Sequence, residues 1–443
     1  MLSSYSPDSI SEIIRQQSPD FDIFHQAPKD NEQLLKHACY FSQKFPEQHF
    51  LINLCEDRYL FCVVFLAGIL SNRPNLLPPN QAKQTLHELQ SRYPEGIIIS
   101  DKLVHNSPDS HIINNNFSSE QLSMLPRPNP EQIVSISFTS GSTGKPKAIA
   151  KTWQEFQVGA QLATHHLGID NSNLMLVSTV PMQHMYGLES GFFWPLFSKI
   201  KVHRRRPFFP EDIRKQIASA SSPCLLVTTP KHLQSCVEAK LKWQNVERIL
   251  SSTAPMSQQL AEQIEACFNA PLDEIYGSTE TLSYASRRIT KNQQWQPYQG
   301  IAFSQQGQNL IISGGHLNNP VMLDDQIKIN NDGSFSVIGR STDMVKIAGK
   351  RASLLQLNNI LKNVPEVEDG VFFSIQRERL GVVVAGKINK KTLLNHLKQY
   401  LDPVFLPRTI HYVDLLPRNE LGKLDRHQFE QLLEQLARDN NNN

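Results

Sequence analysis

Residues 133–147 read I-V-S-I-S-F-T-S-G-S-T-G-K-P-K, an apolar run that ends in hydroxyls, two glycines and two lysines. Such a set suits a polyphosphate. Gly141 and Gly144 let the backbone turn tightly with its N–H groups pointing one way, and a row of such groups cradles phosphate oxygens. Thr139, Ser140, Ser142 and Thr143 add hydroxyl donors, and Lys147, with Lys145 beside it, adds a compact positive charge. The stretch is not a P-loop of the Walker type: the position five before Gly144 is Thr139 rather than glycine, and no Ser or Thr follows the lysine. Taken alone, a Ser/Gly-rich turn after a core strand is the plainer reading.

Positioning such a loop takes a strand before it and a sheet around that strand. Residues 133–138 have the length and β-branched content of a buried strand. Upstream, 32–45 and 58–70 have helical spacing, with a strand at 50–54 between them; 75–80, N-L-L-P-P-N, breaks the pattern. A helix over 81–92 and a short strand at 96–100 follow, and 106–130, rich in Asn, Ser and Pro, reads as a loop. Beyond Thr152 helices and strands alternate: helix to about 166, strand 174–180, helix 188–196, strand 199–203, helix 211–218, strand 225–229, helix 231–239, strand 248–251, helix 257–268 and strand 272–276. Strands separated by helices imply parallel sheets covered on both faces. From 309 the texture is β-rich, with strands at 310–313, 326–329 and 335–338, and Asn330-Asn-Asp-Gly333 is a hairpin signal. The last hundred residues, with helices at 353–362 and 391–401, read as a separate small unit whose tail from 439 is disordered. The expected fold is therefore α/β: a large N-terminal domain of helix-covered parallel sheets plus a β-rich subdomain, and a small, mobile C-terminal α+β domain.

At 443 residues, 40% hydrophobic and 19% charged, the chain can bury more than one core. Forty-four basic against 42 acidic residues leave a net charge of +2, which gives no whole-chain argument for nucleic acid or an anionic membrane. The six cysteines include no C-x-x-C pair and several lie in apolar runs, as reduced core residues do. Residues 59–70 are too short an apolar run to span a bilayer, and the start of the chain lacks the pattern of a signal peptide; a cytoplasmic protein is expected. His203-Arg-Arg-Arg206 is the notable basic cluster, either a solvated loop or a docking point for an acidic partner or a phosphate-bearing ligand.

The full string T-S-G-S-T-G-K-P-K resembles the phosphate-binding signature of the acyl-adenylate-forming enzymes, the superfamily of acyl- and aryl-CoA synthetases. Three further stretches extend the resemblance in family order. Glu274-Ile-Tyr-Gly-Ser-Thr-Glu280 matches the Y-G-x-T-E signature, which implies that Tyr276 stacks on adenine, Gly277 permits close backbone approach, Thr279 donates to the α-phosphate and Glu280 holds Mg2+. Before it, Ser251-Ser-Thr-Ala-Pro255 occupies the place of the small-residue segment that lines the adenine and acyl pocket, which implies that Thr253 and Ala254 border the nucleotide, and the family's usual glycines are replaced here. Val180-Pro-Met-Gln-His-Met-Tyr-Gly187 resembles the P-x-x-H-x-x-G segment beside the acid, making His184, Tyr186 and Gly187 substrate candidates; no Asp stands there to hold an amino acid's ammonium.

The family's ribose-binding aspartate falls on Asp325, or on Asp324 if the register slips, and the Thr and Gly that usually precede it are missing. Arg340 matches the arginine that contacts ribose or phosphate at the domain boundary, although Thr342 stands where the family places a hinge Asp or Lys. Lys423, in Leu416-Pro-Arg-Asn-Glu-Leu-Gly-Lys-Leu-Asp-Arg426, matches the catalytic lysine, and Lys346 and Gly349 match the face presented during thiol transfer. The resemblance implies a 1–339 domain that binds ATP and the acid, and a 340–443 lid that carries Lys423. It implies an ATP- and Mg2+-dependent ligase that adenylates a carboxylic acid, releases pyrophosphate and passes the acyl group to CoA or an acyl carrier protein. Asn53-Leu-Cys-Glu-Asp-Arg-Tyr59, Asn75-Leu-Leu-Pro-Pro-Asn80, His184-Met-Tyr-Gly-Leu-Glu189 and Tyr276-Gly-Ser-Thr-Glu-Thr281 further resemble the compact ligases of aryl polyene pigment clusters. That subgroup implies an aryl acid such as 4-hydroxybenzoate or a cinnamate; a medium-chain fatty acyl-CoA synthetase and a non-catalytic nucleotide-binding homologue are the alternatives.

Overall fold

The computed structural model describes residues 24–25, 31–44, 49–104, 110–114, 128–139, 147–307, 309–340, 344–347, 350–375, 379–419 and 422–441. Two large sheets organise the first three quarters of the chain. One runs His111–Ile112, Gly96–Ser100, Phe50–Asn53, Asn75–Leu77, Ile133–Thr139, Lys147–Thr152, parallel throughout except for the last pair. The other runs Phe24–His25, Lys201–His203, Met175–Ser178, Cys224–Thr228, Val246–Ser251, Leu272–Ser278, Leu282–Arg287, Gln296–Pro297, parallel as far as Leu272–Ser278 and antiparallel after it.

Alternation along the strands decides which core each side chain joins. Leu225 and Val227 face a core shared with the other sheet, whereas Cys224 and Leu226 face a core on the opposite side. The shared core holds the helices Arg58–Leu70 and Trp153–His166 between the two sheets. Arg58–Leu70 is buried around nearly its whole circumference, as expected of a helix that is apolar on every face. The exception is Arg58, whose guanidinium donates to the carbonyls of Ser178 (2.9 Å), Val180 (3.1 Å) and His203 (3.4 Å). Burial pushes this guanidinium down to about 10, and the three carbonyls replace the water that it has lost.

The β-rich region is a three-stranded antiparallel sheet, Ile301–Gln306, Asn309–Gly314 and Leu317–Leu323, followed by the hairpin Asp325–Ile329/Phe335–Arg340. Its turn is the expected Asn330–Gly333, closed by Gly333 N–H to the Asn330 carbonyl at 3.0 Å. Beyond it come the hairpin Met344–Ile347/Lys350–Ser353, the helix Leu354–Lys362, and a sheet of Val367–Ile375, Arg379–Gly386 and Thr409–Tyr412. Helices Lys390–Tyr400 and Arg426–Asn441 complete it. The hydrophobic cores that include residues after 344 contain none before it.

Several expectations need correction. Asn75–Leu77 does not interrupt the fold but is a buried strand paired on both sides. Lys147–Thr152 is a strand, so Lys147 opens a strand rather than belonging to the preceding loop. The last helix reaches Asn441, which corrects the expected disorder for 439–441. His203 is fully buried and Arg204 is held by Asp57 (2.8 Å), so half of the basic cluster is structural rather than a solvated patch. No helix among the described residues is long and apolar enough to cross a membrane.

Candidate active site

The site is built where the strand Leu272–Ser278 ends. A bulge between Tyr276 and Gly277 turns the chain back towards Leu282–Arg287. A Cβ at Gly277 would lie 2.0 Å from the Leu282 carbonyl oxygen, so only glycine permits this approach. Thr281 is fully buried and clamps the turn: its hydroxyl accepts from the Ser278 N–H (3.0 Å) and donates to the Leu282 carbonyl (2.9 Å). Thr279 and Glu280 are left half-buried at the tip, where a ligand can reach them.

Tyr276 leaves the strand one residue earlier. Its hydroxyl donates to Asp325 Oδ2 at 2.6 Å, and its ring packs against Trp295 (4.8 Å between centroids), Tyr284 (5.6 Å) and Phe335 (5.9 Å). Asp324 is exposed, so the structure brings Asp325 rather than its neighbour to the tyrosine. Asp325 also stands opposite Arg340 in the hairpin register. The segment before the turn adds Thr253, whose φ of +81° is unusual for a β-branched residue, and Ser252, whose hydroxyl donates to the Ile275 carbonyl (2.9 Å).

His184 occupies the N-cap position of the short helix Met185–Leu188, with no side-chain capping bond. Tyr186 donates its hydroxyl to the Leu250 carbonyl (3.0 Å), and burial raises its pKa well above the usual phenol value, so it acts as a neutral donor tied to the sheet. A Cβ at Gly187 would come within 2.0 Å of the Pro181 carbonyl oxygen.

Glu189, quoted in the sequence without a role, fastens this segment to the Thr279–Glu280 turn. Its carboxylate accepts the Ser283 N–H (3.2 and 3.0 Å) and the Ser283 hydroxyl (2.6 Å), all buried. Burial pushes its pKa up to about 7, opposed by the Ser283 bonds and the charge of Lys151. It opens a π-helical turn, Glu189–Phe193, a local irregularity often found beside functional sites. On the other side, His316 Nε2 bonds the Thr281 carbonyl at 2.6 Å; burial lowers its pKa to about 4, so the ring is neutral and Nε2–H is the donor. Nothing in the local sequence at Glu189 or His316 signals their contacts with Ser283 and Thr281, which join residues 94 and 35 positions apart.

The phosphate loop itself, Ser140 to Gly144 with Lys145, lies outside the described residues, as do Gly349 and Thr342. Its two ends are fixed by the antiparallel pairing of Thr139 with Lys147, whose side chain is exposed. Arg340 and Lys346 are placed by their backbones, in the strands Phe335–Arg340 and Met344–Ile347. Lys423 is exposed, and its N–H donates to Asn419 Oδ1 at 3.0 Å. Its neighbour Gly422 faces the first turn of the helix Pro230–Glu238: a Cβ there would lie 3.1 Å from Lys231 Cβ.

A family model described as AMP-binding enzyme matches residues 38–313. The chain belongs to this family. Among relatives of the AMP-binding enzyme, the 2-succinylbenzoate–CoA ligase of Staphylococcus epidermidis is 26% identical over 341 residues, covering 67% of this chain and 69% of the relative. A 4-chlorobenzoate–CoA ligase of Arthrobacter is 22% identical over 362 residues, covering 71% and 69%. Among solved structures, O-succinylbenzoate coenzyme A synthetase (MenE) of Bacillus subtilis in complex with AMP superposes with a TM-score of 0.82 at 16% identity, over 96% of this chain and 98% of that one. ATP-bound MatB of Rhodopseudomonas palustris gives 0.80 at 15% identity, over 96% and 98%.

This AMP-binding enzyme is thus an AMP-forming acid–thiol ligase of the acyl-adenylate-forming superfamily, with the α/β fold expected for it. The Bacillus subtilis synthetase has also been solved in complex with ATP and a magnesium ion. The donor set fits that ion. Mg2+ usually binds one or two carboxylates together with substrate phosphates. Among the described residues no cluster of three or more His, Cys, Asp or Glu could form a cage, whereas Glu280 offers a single half-buried carboxylate at the turn.

Proposed function

We propose that the protein joins an aryl carboxylic acid to the thiol of CoA in two steps at one site. A carboxylate oxygen attacks the α-phosphorus of ATP, the bond to the β-phosphate oxygen breaks, and pyrophosphate leaves. The sulfur of a deprotonated thiol then attacks the acyl carbon, the bond to the AMP oxygen breaks, and thioester and AMP depart. The Tyr276–Asp325 hydrogen bond carries the reading, because it couples the turn bearing Thr279 and Glu280 to the hairpin bearing Arg340.

In this reading Tyr276 and the segment Thr253-Ala254 hold adenine, Asp325 holds the ribose, Arg340 contacts ribose or phosphate, and the loop between the strand ends Thr139 and Lys147 holds the phosphates together with those two residues. Thr279 donates to the α-phosphate, and Glu280 holds Mg2+, which neutralises phosphate charge when bound. His184, Tyr186 and Gly187 border the acid. Lys423 bridges the attacking carboxylate and the α-phosphate as negative charge accumulates, a role for a fixed charge that transfers no proton. Residues 1–339 form the ATP- and acid-binding domain, and 340–443 form a lid that rotates between the steps to bring Lys346 and Gly349 to the site. The separate cores before and after residue 344 support that division.

An aryl acid is favoured because relatives named for 2-succinylbenzoate and 4-chlorobenzoate share the sequence over two thirds of its length. The same names favour CoA as acceptor. The finer reading, aryl polyene biosynthesis with an acyl carrier protein, rests on the subgroup motifs; the structural duties of His203 and Arg204 leave less of the basic cluster free for either a carrier or the phosphates of CoA. Pyrophosphate release from MgATP should be measured with benzoates, 2-succinylbenzoate, cinnamates, fatty acids and amino acids, each with CoA or with holo-carrier protein. Release with an aryl acid and thioester formation on CoA are expected. Turnover confined to fatty acids, or acceptance by the carrier alone, would replace the corresponding half of the proposal.

A further inference from the structure

One guanidinium of the C-terminal unit reaches the turn that presents Lys423. Arg418 Nε and Nη2 donate to Asp369 Oδ2 (2.5 Å) and Oδ1 (2.7 Å), a two-point grip, and Nη1 donates to the Gly422 carbonyl at 3.0 Å. Asp369 lies on the strand Val367–Ile375, and both charged side chains are largely shielded, 17% and 25% exposed. Around them the chain folds into a tight hairpin. Arg418 bridges Leu424, Asn419 exchanges backbone bonds with Gly422 and Lys423 (2.9 Å each), and Asp425 N–H reaches the Pro417 carbonyl (2.9 Å). Leu416 and Leu424 anchor its stems in a core with Val371, Val383 and Phe429.

The stems therefore need no arginine to stay folded; at the tip the arginine adds a grip on the Gly422 carbonyl to the bond that Lys423 N–H makes with Asn419 Oδ1 (3.0 Å). The Gly422 carbonyl belongs to the peptide plane whose N–H is that of Lys423. Fixing that carbonyl fixes the direction in which the lysine leaves the backbone. We propose that Arg418, braced by Asp369, is a positioning residue that aims the Lys423 ammonium at the site of adenylation. The proposal rests on the reading of Lys423 given above. A lysine stem is flexible, and misplacing a reacting group by about 1 Å costs on the order of 100-fold in rate. Lysine at 418 can keep the charge near Asp369 but cannot grip both carboxylate oxygens and the carbonyl together.

The test compares R418A, R418K, D369N and K423A in the full chain, using the acid from the panel that releases pyrophosphate fastest. R418A should lower kcat for adenylation at least about 10-fold, with KM for MgATP within about 3-fold, and R418K and D369N should fall between it and the parent. Thioester formation from supplied acyl-adenylate should change by less than about 3-fold, because that step does not call on Lys423. Amide hydrogen exchange at Gly422 and Lys423 needs no substrate and should accelerate in R418A, while the strand Arg379–Gly386 stays protected. Unchanged kcat or unchanged exchange in R418A beside a silent K423A would overturn the positioning role alone. Loss of both half-reactions in equal proportion would also overturn it, by making Arg418 a residue of lid stability. Full activity in K423A would remove the lysine role, and this proposal with it.

Discussion

Tyr276 and Asp325 are separated by 49 residues, yet the phenolic hydroxyl meets the carboxylate at 2.6 Å. The bond crosses from the end of a strand in the eight-stranded sheet to the first residue of a hairpin outside that sheet. It fixes which of two adjacent aspartates meets Tyr276, and so which one the proposed function assigns to the ribose. D325N should therefore raise KM for MgATP by about 10-fold or more, the scale of a lost hydrogen bond to a charged group at roughly 1.5–3 kcal/mol. D324N removes an exposed charge and should leave KM within about 2-fold. Equal effects of the two changes in steady-state kinetics would contradict the assignment.

Gly277 tests the turn rather than a contact with ligand. An alanine methyl would sit 2.0 Å from the Leu282 carbonyl oxygen, and its nearest neighbours, in Leu282 and Ser283, are all backbone atoms rather than a flexible side chain that could give way. G277A should destabilise the protein by about 1–3 kcal/mol, as overpacking does. It should also displace Thr279 and Glu280, so adenylation should fall even well below the variant's melting temperature. A thermal melt matching the parent's would show that the turn has room that the structure denies it.

Lys423 is exposed, so its removal should cost little stability. A fixed donor aimed at charge that develops in the transition state is worth roughly 100- to 1,000-fold in kcat. K423A should lose that much in pyrophosphate release while calorimetry finds ATP affinity within about 3-fold of the parent. Parallel losses in binding and turnover would make Lys423 a simple phosphate-binding residue.

The alternation of strands and helices from 153 to 276 was readable because fully buried strands in a parallel sheet are short apolar runs, and the intervening helices carry one apolar face. The signatures were readable because their residues are adjacent in the chain. What escaped depends on side-chain partners rather than on a pattern of residue types. Lys147–Thr152 reads as polar, yet Lys151 is buried because Glu155 neutralises it at 2.7 Å. Asn75–Leu77 is too short to show a period, and Asn75 Nδ2 is satisfied by the Phe65 carbonyl (3.2 Å), a partner ten residues earlier. The strands Val367–Ile375 and Arg379–Gly386 lie between helices that drew the reading. Glu189 stood beside a recognised segment, but its role depends on Ser283, 94 residues away.

Glu189 gives a pH signature with a definite sign. Its folded-state pKa is raised from 4.5 to about 7, chiefly by burial, so between those values the folded protein holds a proton that the unfolded chain releases. Its contribution to stability is complete below about pH 4.5 and is lost as pH rises through about 7. The groups that bear on it are Ser283, which donates to the ionised form, and Lys151, whose charge favours that form, with Tyr186 and Tyr298 buried nearby and neutral. In E189Q this dependence is absent while the Ser283 N–H retains an acceptor. The difference in melting temperature, variant minus parent, should therefore increase from pH 5 to pH 8, whatever its value at the acid end. Melts at several pH values across that range supply the test. A difference that stays flat would mean that the carboxylate is ionised throughout, held there by Ser283 and Lys151 against the desolvation. One that falls would mean that it ionises more readily in the folded protein than in the unfolded chain, the opposite of what burial dictates.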